Sequence, residues 1–187
     1  MRPALFLLLA ALAAPVAAQT APATPPPPQP VNYGVPPAAE KDVASIDAII
    51  AALYDVISGP VGQARDWNRL RSLFIPEARM MPVGVRQDGS VGMRLLQVND
   101  YVALSGPLLV DRGFQERELA RRTERFGHIA HVFSTYEGKV AGDAPPMRGI
   151  NTIQLMNDGR RWWIVSLMWE AESPGLVLPA HYLPAAK

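Results

Sequence analysis

The residues of this chain that could do chemistry are few. Its three histidines are His128, His131 and His181. His128 and His131 stand three apart, which on a strand sends them to opposite faces and prevents them from clamping one metal ion. Cysteine is absent, so disulfides, thiol catalysis and Cys-ligated zinc are excluded. Neither a phosphate-cradling glycine loop, a dinucleotide fingerprint, an HExxH helix nor a GxSxG elbow occurs in the sequence. Two constellations remain. If Phe126-Gly127 is a tight turn, His131 faces Arg122 near Glu118, and an acid–His–Arg group could act as a general acid/base or as a structural network on a strand face. The second is a polar pair, Asn151 and Ser166, set among Ile153, Leu155, Ile164 and Met168. A buried polar pair must be satisfied, either internally or by a ligand.

The elements positioning these residues follow from periodicity. Val43, Ile46, Ile50, Leu53 and Ile57 recur at helical spacing between an Asp42 cap and the Gly59-Pro60 stop, with Tyr54 on the flank. A second helix starts at Asp66, aligns Trp67, Leu70, Leu73 and Phe74, and ends at Pro76. Residues 78–83 and 91–95 read as strands around the Asp88-Gly89 turn. A weaker third helix spans 99–111 from an Asn99 cap, and Gly106-Pro107 is expected to kink or split it. Four extended runs follow, at 114–126, 128–139, 147–157 and 161–171. The strand at 114–126 alternates acids and arginines, the pattern of a solvated or salt-bridged surface.

With Asp158-Gly159 as the turn of the last hairpin, Asn151 faces Ser166, Ile153 faces Ile164 and Leu155 faces Trp162. Both faces of this hairpin are largely apolar, so each needs cover. Helices can cover one, and a second subunit is the simplest cover for the other. Helices first and an antiparallel meander last make an α+β protein, because no strand–helix alternation supports a parallel sheet.

The chain has 187 residues, with 18 basic against 17 acidic ones. Arg2, the apolar run Ala4–Ala14 and Val16-Ala17-Ala18 compose a secretory leader over 1–18. Its apolar run is shorter than the ~20 residues that a spanning helix needs, so no membrane attachment is expected after cleavage. Residues 19–37, with four consecutive prolines at 25–28, read as an extended spacer, and 38–187 as one domain. Without Arg2 the charges balance, which argues against nucleic-acid binding through a basic field. A periplasmic or secreted location follows from the leader.

IIAALYDVISG with DWNRLRSLFIPEARMMPVG, then FGHIAHVFSTYEGK, then RGINTIQLMNDGRRWWIVSLMWEAE, in that order, resemble the nuclear transport factor 2-like superfamily, in its SnoaL-like and ketosteroid-isomerase-like branches. The resemblance covers 43–172 and rests on the order and spacing of all three segments. It implies a cone formed by a curved antiparallel sheet wrapped around three N-terminal helices, usually dimeric, with a pocket at the open end. In ketosteroid isomerases a helix-one tyrosine forms the oxyanion hole and an acid just before Pro-Val-Gly is the base. Tyr54 matches the tyrosine, but Met81 precedes Pro82-Val83-Gly84 and cannot carry a proton. The resemblance thus implies a site of Tyr54, Trp67, Met81, Asn151 and Ser166 that orients a small apolar molecule without cofactor or metal. A cofactor-free lyase or isomerase using His131 with a nearby carboxylate, and a structural dimerisation module, are the alternatives.

Overall fold

A computed structural model describes residues 32–184. The leader at 1–18 and the spacer up to residue 31 lie outside the described residues. Chain order is helix α1 (Glu40–Val43), α2 (Ile46–Ile57), α3 (Trp67–Leu73), strands β1 (Phe74–Val85) and β2 (Val91–Met93), helix α4 (Val98–Arg112), strands β3 (Phe114–Phe126), β4 (Ile129–Val140), β5 (Met147–Asn157) and β6 (Trp162–Ala171), and a 3-10 turn at Ala180–Tyr182. The six strands form one curved, unclosed sheet in the order β2-β1-β6-β5-β4-β3. The helices fill its concave side, giving an α+β cone.

Several local expectations need correction. The first helix is broken: Ser45, not Asp42, caps α2, its hydroxyl accepting from Ala48 N at 3.0 Å. Asp42 instead receives a two-pronged bond from Arg69, at 2.7 and 3.0 Å, and that bond holds its carboxyl below the usual range. Asp66 caps α3 as its position suggests, at 2.8 Å from Arg69 N. Phe74 opens β1 rather than closing α3. Despite Gly106-Pro107, α4 is one helix, capped at Gln97 rather than Asn99. Gly106 lets the Trp67 ring approach, since a methyl there would stand 3.1 Å from the indole.

The sheet is mixed, not purely antiparallel. β3 to β6 form the expected meander, but β1 runs parallel to β6, with Met80 beside Leu167 and Met81 beside Met168. A parallel pair needs a long crossover. Here α4 and β3 to β5 supply it, so no strand–helix alternation is required.

Register differs too. The last hairpin sets Asn157 opposite Trp162 and carries a bulge after Gln154, so Asn151 faces Trp169 and Ser166 faces Gln154. The β3–β4 turn is Gly127-His128, with Gly127 at φ 54°, and His131 therefore faces Glu124 instead of Arg122. A displaced turn re-pairs every residue beyond it, and in the last hairpin the bulge adds one further step.

The outer sheet face is covered in part by the chain itself. Residues 173–184 fold back so that the Thr135 hydroxyl donates to Tyr182 O at 2.6 Å, and Tyr182 packs on Phe133 with ring centroids 4.9 Å apart. Trp163 is enclosed by Arg161, 3.6 Å from its ring, and by Tyr33 at 4.9 Å.

The ends of α2 and α4 are tied together by Arg65, 6% exposed. Its guanidinium donates to Ile57 O (3.1 Å), Gly59 O (2.7 Å), Leu109 O (3.0 Å) and Gln63 O. Ile57 and Leu109 lie in the last turns of α2 and α4, whose carbonyls have no partner inside their helices. Gly59 also pairs with Phe114 in both directions, at 2.7 and 3.0 Å, so this one side chain ties two helix ends to the start of β3. Arg65→Lys, which keeps the charge and loses the fork, should leave two or more of these carbonyls unpaired and cost about 2–4 kcal/mol. Urea unfolding of the two proteins measures it.

Candidate functional site

The concave side of the sheet encloses a cavity of about 260 Å³, lined by Leu53 and Ile57 of α2, Met80 of β1, Tyr101, Ser105, Leu108 and Leu109 of α4, Phe114 and Glu116 of β3, Tyr136 of β4, Met147 and Asn151 of β5, and Leu167 and Trp169 of β6. Most of this wall is apolar. The polar exceptions converge. Pleating places Phe114, Glu116 and Glu118 on the inner face of β3, and Ser58 fixes that stretch by accepting from Glu116 N at 2.9 Å.

Asn151 is the branch point. Its amide nitrogen donates to the Tyr54 hydroxyl oxygen at 3.1 Å and to Glu116 Oε1 at 3.3 Å. Tyr54 lies 2.7 Å from Ser134 Oγ, and Ser134 donates to Glu118 Oε1 at 2.6 Å. A hydroxyl has one hydrogen. Ser134 gives its hydrogen to the carboxylate, so it accepts from Tyr54, and Tyr54 has none left for the cavity. Glu118 is held from its other side by Arg121 Nε at 3.1 Å, and Arg121 reaches Asp47 at 3.0 Å. Tyr54 therefore does not serve as an oxyanion donor in this arrangement, even though its place in helix order matches.

Glu116 differs from Glu118. It has no cationic partner, and Asn151 supplies its one side-chain hydrogen bond among the described residues. Burial pushes its carboxyl up to about 7, with the Asn151 bond opposing the rise. Tyr101 and Tyr136 face it, and burial and the carboxyl together raise both phenols well above their ordinary value. Neither hydroxyl makes a hydrogen bond among the described residues. Tyr136 fits because its cross-strand partner is Gly149: a methyl there would stand 2.6 Å from the Tyr136 hydroxyl and 2.2 Å from Glu170 O.

Of the residues named from sequence, Asn151 lines the cavity and Tyr54 lies directly behind it. Trp67 packs on Gly106 of α4, outside the cavity lining. Met80 lines the cavity and its neighbour Met81 does not. Ser166 pairs with Gln154, which is exposed, so the proposed Asn151–Ser166 pair does not form. The His131 constellation is dispersed. Glu118 points inward to Ser134, Arg122 binds His181 O at 3.1 Å beneath the tail, and His131 Nδ1 bonds the Gln154 side chain on the outer face. Glu116, Tyr101 and Tyr136 were missed. Reading β3 as a charged surface hid Glu116, although Phe114, two residues earlier, marks the inward face.

No family model and no curated protein matches the sequence. Solved structures do match the fold. An NTF-2-like protein of unknown function from Silicibacter pomeroyi is 17% identical over 69% of this chain and 94% of its own, with a TM-score of 0.50. A protein of unknown function with a cystatin-like fold from Nostoc punctiforme is 12% identical over 69% and 90%, with a TM-score of 0.52. An uncharacterised cystatin-like protein from Caulobacter vibrioides is 12% identical over 73% and 93%, with a TM-score of 0.52. The fold is NTF-2-like, and likeness at these identities is a likeness of fold alone.

The raised Glu116 carboxyl has a signed consequence for stability. Between its ordinary value of 4.5 and about 7 the folded protein keeps a proton that the unfolded chain has released. Its contribution is fully present below pH 4.5 and is lost as pH rises to 7, a decline of at most about 3 kcal/mol. Denaturant titrations at pH 4.5, 6 and 7.5 should show this decline in the wild type relative to Glu116→Gln.

Proposed function

We propose that this protein binds one small, mainly apolar molecule in the cone, oriented by Glu116, Tyr101 and Tyr136. The observation that carries the reading is a carboxyl that, among the described residues, has no cation, faced by two phenols that have no hydrogen-bond partners there, in a cavity walled mainly by aliphatic and aromatic side chains. A few convergent polar groups in an apolar cavity are what recognition of a small molecule requires. Export through the leader and pairing through the outer sheet face belong to the same proposal. Pairing is supported there by the exposed Met168, Leu176 and Val177. Proton transfer by Glu116 is a second reading, favoured by a carboxyl that titrates near neutrality between two phenols.

Binding is tested by thermal shift with a panel of small apolar compounds. Leu167→Trp, which fills the cavity from β6, should abolish the shift of any hit, and a hit that stabilises both proteins equally refutes the site. Tyr101→Phe should weaken a true ligand about three- to tenfold by removing one neutral hydrogen bond of about 0.5–1.5 kcal/mol. Light scattering at micromolar concentration should give twice the monomer mass, and a clean monomer ends the pairing proposal.

A further inference from the structure

The geometry points to a ligand that is an amine: a small apolar molecule whose ammonium group lies against Glu116 inside the cone. This rests on the binding reading above and deepens it. The titratable groups that face Glu116 from other elements come from two helices and a strand, and the adjacent Arg117 is paired with Glu137. From α2 and α4 it faces the phenols Tyr54 and Tyr101, and from β4 the phenol Tyr136. Along β3 its charged neighbour is Glu118, a second acid. The arginine on this side, Arg121, is ion-paired with Glu118 at 3.1 Å and lies 3.0 Å from Asp47 without a hydrogen bond to it. No Lys, Arg or His lines the cavity among the described residues. Once Glu116 has lost its proton, at neutral pH and above, the cavity holds a part-buried carboxylate with no cation among its lining residues, and such a group needs a cation or several donors.

The walls suit the same guest. Phe114, Tyr101, Tyr136 and Trp169 line the cavity, with Tyr101 and Trp169 meeting edge to face at 6.2 Å and 90°. Aromatic faces attract a desolvated ammonium, and the tyrosines add hydroxyl oxygens that can accept from it. A neutral carbonyl ligand would use the two phenols, and below pH 7 the carboxyl's own proton, but above that it would leave the ionised carboxylate unanswered. Asn151 cannot fill that need alone, because it supplies Glu116 with a single long bond at 3.3 Å.

Two probes of one shape separate the ideas: cyclohexylmethylamine, a cation throughout the range used, and cyclohexylmethanol, which is neutral. Calorimetric or thermal-shift affinities are measured on the full chain from pH 5 to 8.5. The amine should bind at least tenfold tighter than the alcohol at pH 8. Its affinity should climb about tenfold per pH unit below 7 and level off above, because it needs the ionised carboxyl. Glu116→Gln should cost the amine tenfold or more at pH 8, remove its pH dependence, and cost the alcohol a clearly smaller factor. The wild-type pH profile stands as evidence if that variant does not fold. An alcohol that matches or exceeds the amine at pH 8, or an amine profile that is flat or falls with pH, overturns the amine inference and leaves the binding reading intact. If neither probe binds at millimolar concentration, both fail.

Discussion

The cone depends on the end of α2 being held against the beginning of β3. Arg65 does this with hydrogen bonds to backbone carbonyls and no acidic partner. Two of those carbonyls belong to helix C-terminal turns, where partial negative charge accumulates, so the guanidinium is matched by dipoles rather than by a carboxylate. The fit is close enough that a methyl group on Gly59 would stand 2.4 Å from the guanidinium nitrogen. Once Gly59 and Phe114 are paired, Ser58 lies beside the backbone of Glu116. The carboxyl then has nowhere to go but inward. A structural clamp thus sets the position of the carboxyl that lines the cavity.

Glu116 and Glu118, two residues apart on one strand face, occupy opposite electrostatic circumstances. Glu118 is answered by Arg121 and by the Ser134 hydroxyl, and Glu116 by one amide hydrogen. Pairs of acids whose surroundings push them apart are a recurring way for one scaffold to hold a fixed charge and a labile proton side by side. The bulge after Glu118 contributes to this division, because it re-aims the strand so that Arg121 can reach back to its neighbour.

Much of the fold could be read from the residues, because long periodic segments determine element type with little ambiguity. The meander, the Asp66 cap and the helical spacing that runs to Ile57 are of that kind, although Ser45 breaks that run into two helices. The site was harder for three physical reasons. Strand register depends on which residue starts a turn, and a shift at Gly127-His128 was enough to remove Arg122 from His131. The parallel placement of β1 depends on a crossover of many residues that leaves no local signature. The charged alternation of β3 is that of a solvated strand at its far end, where Glu124 and Arg125 are exposed, and of a cavity wall at its near end. Local composition averages over both.

The row Asn151, Tyr54, Ser134, Glu118 has a polarity as well as a geometry. Each member passes its hydrogen to the next, and the row terminates on a carboxylate tied to an arginine. To turn Tyr54 around, Ser134 would have to take its hydrogen off that carboxylate and Asn151 would have to rotate its amide. No single member can flip without its neighbours. The wall behind Asn151 is therefore a rectified surface: it gives one amide hydrogen, to Glu116, and offers no phenolic one. Selection among guests that differ only in where they accept or donate falls to the other side of the cone, where the hydroxyls of Tyr101 and Tyr136 are still free to choose their direction.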